Sequence, residues 1–468
     1  MKVGALLGIA AALVPLTATA QARPDEKAFL ALYKELVETN TVVGVGSCTK
    51  AATQLAARLK AAGYTDAEAA VFSVPEHPED GGVTAVLGGS DPAAKPMLLL
   101  GHIDVVAAKR EDWVRDPFKL IEEGGFYYAR GTVDDKAMAA VWADAMIRFK
   151  QQKYQPKRTI KLALTCGEET TFAFNGAEWL AKNRPEAVRA EFALNEGGGG
   201  RLTPDGKRQV LAVQVGEKAS QNFTFLTTNP GGHSSAPTPD NAIYELADAV
   251  KAVQGYEFPI RFTDTTKAFF TATAAAPSSP KPLADAIKAL LANPADKGAD
   301  AIVSRDKTLH STLRTTCVAT LLQAGHAENA LPQRATANVN CRIFPGETVE
   351  QTLATLKRLA GPKVTVTVTV NAPVRPVAVP PTLDPRIIGP MQQLATKHFP
   401  GTPLVPLMST GATDGIFLEA IDIPTYGAPG IFLEPDLNGI HGLNERIRVK
   451  ALYEGRDYLF DLVKAYAG

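Results

Sequence analysis

The sequence predicts an α/β fold in which a main domain with a mostly parallel central sheet is interrupted by a smaller α+β domain. Short apolar strands alternate with helical segments at both ends of the chain, and this alternation is typical of a parallel sheet covered by helices. The middle of the chain instead reads as strand, helix and strand with long adjacent strands. The length of 468 residues also favours more than one domain, since domains usually contain ~100–200 residues.

The first part of the main domain begins with two predicted helices within residues 25–63, around a turn near Gly44 and Gly46. Leucine and alanine recur there at helical spacing. Predicted strands and helices then follow each other. The strands are expected at residues 70–74, 84–87, 96–102, 159–165 and 192–196, and the helices at residues 137–150 and 176–182.

The inserted domain, residues 213–373, changes this pattern. Residues 209–215 and 219–227 read as neighbouring strands, and residues 313–324 and 333–344 as an antiparallel pair. Helices are predicted at 241–253 and 348–359, and strict alternation predicts a strand at 364–370. A long insertion occupies residues 255–310, and a proline-rich linker at 372–385 leads back to the main domain.

The main domain therefore comprises residues 23–212 and 374–468. Its second part is predicted to contain a helix at 384–398, strands at 404–408 and 423–426, and a final helix at 449–467. One domain thus interrupts the other.

Residues 1–22 have the pattern of a secretory signal peptide. A basic Lys2 precedes an apolar run from Val3 to Thr17, and small residues follow, with possible cleavage after Ala20 or Ala22. The run is short for a transmembrane helix of ~20 residues and contains Pro15. We therefore expect a secreted or periplasmic protein that is free of the membrane after cleavage.

Charge and cysteine content exclude several classes of partner and site. Basic and acidic residues number 49 each, so nothing attracts nucleic acid or an anionic membrane. The cysteines show no Cys-x-x-Cys spacing, which argues against a cysteine zinc site. Cys317 and Cys341 flank a predicted hairpin centred near Asn329. They are either two buried thiols or, in an oxidising compartment, a disulfide.

Carboxylates and histidines recur on predicted loops, most of them directly after predicted strands. Such strand ends face the crevice in which open α/β sheets bind ligands. Each motif alone also occurs in structural roles, but together they predict a metal site, because histidine nitrogen and carboxylate oxygen are typical ligands of catalytic zinc. One carboxylate can bridge two metals. The segments are 101–104, 130–136, 166–169, 195–198 and 439–442.

In their order and spacing these motifs resemble the M20 peptidase family, a group of di-zinc hydrolases that includes carboxypeptidases, dipeptidases and aminoacylases. The resemblance covers nearly the whole chain after residue 22. It implies a zinc-peptidase-like catalytic domain interrupted by a lid of the dimerisation type. The matching segments are GHIDVV (101–106), W…DPF (113–118), RGTVDDK (130–136), GEE (167–169), GHSS (232–235) and HGLNE (441–445).

The resemblance also implies roles at the metal centre. Two Zn²⁺ ions per chain are expected, with Co²⁺ or Mn²⁺ as alternatives, since affinity depends on geometry and supply. Asp134 would bridge them, with Asp135 as the competing candidate. Glu168 would act as general base and then acid, and Asp104 would orient a ligand imidazole. The implied ligand sets are His102, Asp134 and Glu196 for one metal, and Asp134, Glu169 and His441 for the other.

Substrate-binding residues follow from the same resemblance. His233 corresponds to the histidine of the lid that stabilises the oxyanion, and in dimeric relatives it reaches the partner's site. A homodimer through the inserted domain is therefore an open expectation. Asn329 and Arg342 correspond to substrate-binding residues, and arginine suits capture of a carboxylate. Gly411 and Thr413 belong to a loop, STGATDG (409–415), that is expected to line the pocket.

The leading functional hypothesis is a zinc carboxypeptidase or dipeptidase that cleaves an amide bond next to a free carboxylate. The alternative is an N-acyl-amino-acid amidohydrolase with the same chemistry. A non-catalytic binding protein is less favoured, because Glu168 and every ligand position are present. The segment after the paired glutamates, residues 170–175, departs from the glycine-containing turn of the family, so the substrate of a relative does not transfer directly.

Overall fold

The computed structural model describes residues 23–170, 174–369 and 379–468. The predicted signal peptide, part of the segment after the paired glutamates and the first half of the predicted return linker lie outside these residues.

The strands and helices, numbered along the chain, follow the predicted alternation closely. The strands are β1 (Ala69–Val74), β2 (His77–Leu87), β3 (Met97–His102), β4 (Ile121–Glu123), β5 (Phe126–Tyr128), β6 (Ile160–Thr165), β7 (Phe192–Asn195), β8 (Gly199–Leu202), β9 (Arg208–Glu217), β10 (Ala219–Thr228), β11 (Gly232–His233), β12 (Thr316–Ala324), β13 (Ala330–Leu331), β14 (Arg334–Ile343), β15 (Thr365–Val368), β16 (Leu404–Ser409), β17 (Thr425–Gly427), β18 (Phe432–Leu433) and β19 (Arg446–Arg448). The helices are α1 (Pro24–Glu38), α2 (Cys48–Ala61), α3 (Lys136–Gln151), α4 (Gly176–Asn183), α5 (Pro185–Val188), α6 (Ala242–Gln254), α7 (Asp264–Ala275), α8 (Lys281–Ala292), α9 (Lys297–Val303), α10 (Lys307–Leu313), α11 (Val349–Ala360), α12 (Pro385–His398), α13 (Gly415–Glu419) and α14 (Val449–Ala467).

The main domain is built on a ten-stranded sheet with the order β1-β2-β6-β3-β7-β17-β9-β8-β18, and β16 pairs with β9. The central strands β6, β3, β7 and β17 run parallel, whereas β1 and β2 add an antiparallel edge. The prediction of a mostly parallel central sheet is confirmed.

Both faces of this sheet are buried, which explains the uninterrupted apolar sequence of β3. Met97 and Leu99 belong to the large core formed with α1, α2, α3, α12 and α14. Leu98 and Leu100 belong to a second core with α4, α5 and α13 on the opposite face. Successive side chains of a strand point to opposite faces, so a strand covered on both sides needs apolar residues throughout. The covered sheet holds His102, the last residue of β3, at its carboxyl edge.

The inserted domain contains a four-stranded antiparallel sheet in the order β12-β14-β10-β15. Helices α6 and α11 pack on it in one core, and the predicted insertion forms helices α7 to α10 with a core of their own. Side-chain caps begin both packing helices, because Asn241 accepts from the Ile243 N–H and Thr348 from the Gln351 N–H. The predicted antiparallel pair at 313–324 and 333–344 is confirmed as β12 and β14.

One prediction about strand neighbours is wrong. Strands β9 and β10 follow each other in sequence but lie in different sheets, because β9 pairs with β8, β16 and β17 whereas β10 pairs with β14 and β15. The chain passes from one sheet to the other at Lys218, between β9 and β10. An alternating apolar pattern marks a strand without indicating its sheet. The division of the chain into domains otherwise stays a prediction.

Two disulfides crosslink separate parts of the chain. Cys317 and Cys341 lie directly opposite each other on β12 and β14 and are bonded, so the disulfide alternative is correct. The second bond joins Cys48, the first residue of α2, to Cys166, which directly follows β6. It ties the segment that leads into the paired glutamates to the N-terminal helices. A search of the described residues for a helix with the length and hydropathy of a membrane span finds none.

Candidate metal centre

The five predicted metal ligands meet at the carboxyl edge of the central sheet. His102 ends β3, Glu196 directly follows β7, and Glu169 lies four residues beyond β6. These three strands are parallel neighbours, so their carboxyl ends lie side by side. Asp134 precedes α3 and His441 lies in the loop before β19. The sheet thus brings together residues from five separate segments.

Asp134 lies between the two histidines and turns one carboxylate oxygen toward each. Its Oδ1 is 3.1 Å from His102 Nε2, and its Oδ2 is 3.0 Å from His441 Nε2. Glu196 Oε1 lies 3.7 Å from His102 Nε2, and Glu169 Oε1 lies 3.0 Å from His441 Nε2. The donor atoms form two sets, each within 4.8 Å, with Asp134 common to both. This is the arrangement expected for two cations that share one carboxylate.

The charges of this cluster are mutually dependent. Burial alone would lower the pKa of His102, but the carboxylates of Glu196, Asp104 and Asp134 hold it well above its ordinary value. Hydrogen bonds to Asp134 and Glu169 raise the pKa of His441 to about 10. Burial raises the pKa values of both glutamates, Glu169 and Glu196. The gathered carboxylates therefore create a site that favours positive charge.

The donor chemistry fits a pair of divalent cations. Each set offers one imidazole nitrogen and two carboxylates, and catalytic zinc uses three protein ligands of this kind while keeping a position for water or substrate. Cations would also relieve the repulsion among partly buried carboxylates. The residues present fit two metals, although the identity of the metals does not follow from the donor set.

Asp134, rather than Asp135, has the geometry of the bridging ligand. Asp135 is buried, and its Oδ2 has no hydrogen-bond partner among the described residues. Burial and the nearby Glu196 hold its pKa well above the ordinary value. The next residue, Lys136, is fully buried, donates to the Thr39 carbonyl at 2.8 Å, and has its pKa lowered to about 7 by burial.

Asp104 connects the first histidine to the paired glutamates. Its backbone carbonyl lies 3.1 Å from His102 Nδ1, which places the Nδ1 hydrogen there and leaves Nε2 facing Asp134. The fully buried carboxylate accepts from the backbone N–H groups of Glu168 at 3.4 Å and Glu169 at 3.0 Å. Asp104 therefore holds the His102 imidazole and the glutamate loop in place together. Glu168 is half-buried beside Glu169.

Glu445 has a positioning role that sequence analysis missed. Its fully buried carboxylate accepts from the backbone N–H groups of Gly131, Val133 and Asp134, at 2.9, 2.8 and 3.2 Å, and from Arg130 Nη1 at 2.7 Å. Arg130 Nη2 in turn donates to the Gly442 carbonyl at 2.8 Å. The loop of Asp134 and the loop of His441 are joined through this pair. Arg130 and Glu445 both lie in segments that match the family, but no sequence pattern indicates that two residues 315 positions apart form a pair.

The predicted substrate-binding residues fall into two groups. His233 and Asn329 are exposed neighbours on the inserted domain, where β11 pairs with β13 and the Ser234 N–H donates to the Asn329 carbonyl. Within the described residues neither side chain shares a hydrogen bond or ion pair with the five metal-centre side chains. Arg342 lies on β14 opposite Ser220 and is half-buried.

The loop of Gly411 and Thr413 lies close to the metal centre through Asn195. Gly411 is exposed, whereas Thr413 is buried. Asn195, which precedes Glu196, donates to the Thr413 hydroxyl at 3.1 Å, and the backbone N–H and hydroxyl of Thr413 both donate to Glu217. Thr413 thus fastens its loop to β9, and direct contact with substrate stays a prediction.

A pocket of about 230 Å³, open to solvent, lies against the metal centre. Asp134 and Glu196 form part of its wall, and Gly197 to Gly199 form another part. The remaining wall is mostly apolar, with Met138, Leu407 and Ile431 among its residues. This volume lies slightly below the range of ~300–1,000 Å³ typical of sites for drug-sized molecules.

Comparison with known proteins agrees with this geometry. The model of peptidase family M20/M25/M40 matches residues 98–465. The human N-fatty-acyl-amino acid synthase/hydrolase PM20D1 is 31% identical over 385 residues, which cover 80% of this chain and 75% of that protein. Carboxypeptidase S of Saccharomyces cerevisiae is 28% identical over 266 residues, 54% of this chain and 46% of that protein.

The fold is also found in solved structures. The M20 family metallo-carboxypeptidase Sso-CP2 from Sulfolobus solfataricus superposes with a TM-score of 0.70 at 20% identity, covering 94% of this chain and 99% of that one. Human carnosine dipeptidase 1 gives a TM-score of 0.59 at 18% identity, covering 94% and 97%. The extent of the family match, together with carboxylates and histidines gathered at one edge of the sheet, shows that this chain is a hydrolase belonging to peptidase family M20/M25/M40.

Proposed function

We propose that this protein is a di-metal amidohydrolase that removes an apolar acyl group from N-acyl amino acids. The observation that carries the proposal is the pocket, which combines carboxylates of the metal centre with a mostly apolar wall. An acyl carbonyl placed at the metals can extend its hydrocarbon chain into that pocket. The similarity to N-fatty-acyl-amino acid synthase/hydrolases supports the same substrate class.

In the proposed reaction His102, Asp134 and Glu196 would hold one zinc ion, and Asp134, Glu169 and His441 would hold the other. When bound, the metals supply positive charge that polarises the scissile carbonyl and lowers the pKa of the attacking water. Glu168 accepts a proton from that water as the water oxygen bonds to the scissile carbonyl carbon, and it then passes the proton to the leaving nitrogen. The amide bond breaks, and the products are a fatty acid and a free amino acid.

The inserted domain would complete the site by contributing residues that bind the substrate. The Ser235 N–H donates to His233 Nδ1 at 3.1 Å, so the neutral imidazole carries its hydrogen on Nε2. That N–H can donate to the oxygen on which negative charge develops. Arg342 and Asn329 are proposed to bind the free carboxylate of the amino acid, a group for which a guanidinium offers two parallel donors.

A second candidate is a carboxypeptidase acting on peptides with an apolar penultimate residue. It is favoured by the similarity to carboxypeptidase S, and the same pocket could take an apolar side chain. A dipeptide, however, would bring its charged α-ammonium group into a mostly apolar pocket whose wall also carries the cationic Arg201, and desolvating a charge there is costly. The N-acyl substrate avoids that cost, which reverses the order of the two hypotheses given by the sequence.

The test compares N-octanoyl-leucine with leucyl-leucine as substrates for the purified, zinc-supplemented protein. We expect faster hydrolysis of the acyl amino acid. In Glu168→Gln, both metals should remain, and kcat should fall by about 10²–10⁴, the usual contribution of a general base. Glu186→Gln changes an exposed glutamate and should match the unsubstituted protein. Preference for the dipeptide, or full activity of Glu168→Gln, would contradict the assignment.

We also propose that the protein is exported to an oxidising compartment and forms a homodimer through the inserted domain. The two disulfides support the first point. The second is supported by β12, an edge strand on which Val318, Leu321 and Leu322 are 59%, 70% and 61% exposed. Light scattering of the purified protein should give twice the chain mass, and Leu321→Lys should give the monomer.

A further inference from the structure

We infer that Gly199 and the facing Ala212 determine how long an acyl chain the pocket beside the metal centre can hold. The inference rests on the proposed hydrolysis of N-acyl amino acids and adds the residues that select among acyl groups. Both residues line the pocket that Asp134 and Glu196 also line. Substrate selection would therefore be set on β8 and β9 rather than at the metals.

The run of four glycines after Glu196 contains one that the backbone does not require. At Gly197 the φ angle is +99° and a Cβ would lie 2.3 Å from the Gln214 side chain. At Gly198 a Cβ would lie 2.3 Å from the Gly427 carbonyl, and at Gly200 it would lie 2.2 Å from the Phe432 ring. These contacts exclude any side chain at the three positions.

Gly199 differs from its neighbours. Its φ angle lies outside the left-handed region, and a Cβ there would meet only the Ile431 carbonyl at 3.4 Å, an ordinary contact distance. Neither backbone conformation nor crowding accounts for glycine at this position. The remaining consequence of a missing side chain is open space in the pocket, which is what an acyl chain would occupy.

The strand register places a second small residue opposite the first. Gly199 pairs with Ala212 in the antiparallel β8–β9 ladder, and directly opposed residues present their side chains on the same face of a sheet. Two adjacent small residues thus leave a recess in the sheet surface. Leu407, on the neighbouring strand β16, is part of the wall of the same pocket. A larger side chain at 199 or 212 would fill the recess, and a smaller one at 407 would enlarge it.

The occupant that fits is the hydrocarbon chain of the acyl group. The pocket is continuous with the carboxylates that hold the metals, so a chain attached to the scissile carbonyl reaches it without leaving the site. Each methylene that enters should raise kcat/KM about fourfold, the equivalent of the usual free energy of burying one CH₂ group. That increase should end at the chain length that fills the pocket.

The experiment measures kcat/KM for a series of N-acyl-leucines from acetyl to palmitoyl. Gly199→Val and Ala212→Leu should move the optimum to shorter chains and lower kcat/KM for the longest good substrate at least about tenfold, since two or more methylenes lose their place. Hydrolysis of N-acetyl-leucine, whose acyl group is too short to fill the recess, should fall by a much smaller factor than hydrolysis of the long-chain substrates. Leu407→Ala should move the optimum to longer chains.

The control is Gly88→Val, which places the same side chain at an exposed glycine with nothing within 4 Å, and its chain-length profile should not change. Circular dichroism identifies any variant that fails to fold. If Gly199→Val fails to fold, the inference is tested by Ala212→Leu and Leu407→Ala, which should shift the preferred chain length in opposite directions. Unchanged profiles in the folded variants would overturn the inference. Absence of hydrolysis of every N-acyl-leucine by the unsubstituted protein would instead refute the proposed function.

Discussion

Replacing Glu445 by alanine tests whether the metal centre depends on a residue that binds no metal. The carboxylate is fully buried and accepts three backbone N–H groups of the loop that ends in Asp134, as well as the Arg130 guanidinium. Arg130 also donates to the loop that follows His441. Removing the carboxylate therefore releases the bridging ligand and one terminal ligand from a common support.

The expected loss of stability follows from the groups that Glu445→Ala leaves without a hydrogen-bond or charge partner. The guanidinium of Arg130 is buried, and breaking a buried ion pair by removing one partner costs about 3–5 kcal/mol. Three backbone N–H groups also lose their acceptor. We expect the free energy of unfolding of Glu445→Ala to fall by about 3–5 kcal/mol, and its zinc affinity to fall about 10–100-fold, as for other groups that orient metal ligands.

Zinc affinity is measured by competition with a chelator of known affinity, and stability by urea denaturation of the metal-loaded protein. Glu123→Ala is the matched control, because Glu123 pairs with Arg115 at the surface and is 60% exposed; it should change stability by less than about 1 kcal/mol. If Glu445→Ala binds zinc as tightly as the unsubstituted protein, the loop does not need this support and the reasoning is wrong.

Three further outcomes are expected. Burial, together with Glu217, raises the pKa of Glu419 to about 9, so the folded state keeps a proton that the unfolded chain releases near 4.5. The free energy of unfolding should therefore fall as pH rises from about 4.5 to about 9. Glu419→Gln should remove this slope and stabilise the protein at neutral pH by about 3 kcal/mol, and an unchanged slope would contradict the burial argument. The disulfide of Cys48 closes a loop of 118 residues, and the disulfide of Cys317 closes a loop of 24. Chain entropy therefore predicts that the free energy of unfolding falls by about 5 kcal/mol in Cys48→Ser and by about 3 kcal/mol in Cys317→Ser. Urea denaturation of the two variants should rank them in that order. His233→Ala should lower kcat about 10²–10³-fold and leave zinc content unchanged, and loss of metal from this variant would show that its role is structural.

The clustering of the proposed metal ligands could be predicted from sequence because these residues follow the strands that carry them. His102 and Glu196 come at or just after the end of apolar strands, and parallel strands end at one edge, so sequence position implied spatial proximity. The choice of Asp134 over Asp135 as the bridge came from the family resemblance. The structure supplies a physical reason, since the two oxygens of Asp134 face different histidines.

Features that depend on contacts between distant segments could not be predicted. Glu445 and Arg130 are 315 residues apart in sequence, and neither has a local pattern that names its partner. The same holds for the bond between Cys48 and Cys166. The strand β9 was recognised from its apolar residues, but its membership of the central sheet depends on pairing with strands that come much later, such as β16.

The pocket beside the metal centre was invisible to sequence analysis for a related reason. A positive φ explains the glycine at Gly197 by backbone conformation alone. At Gly199 the meaning of glycine depends on the facing Ala212 and on Leu407. Only the assembled strands show that the absent side chain leaves space.

The central claim is that two metal ions share Asp134, and metal content measured by inductively coupled plasma mass spectrometry tests it most directly. Protein dialysed against dilute zinc should hold two ions per chain. Because Asp134 belongs to both ligand sets while Glu196 and Glu169 each belong to one, Asp134→Ala should weaken both ions, whereas Glu196→Ala and Glu169→Ala should each weaken one. A single ion in the unsubstituted protein, or an Asp134→Ala variant that still binds two ions tightly, would contradict the account.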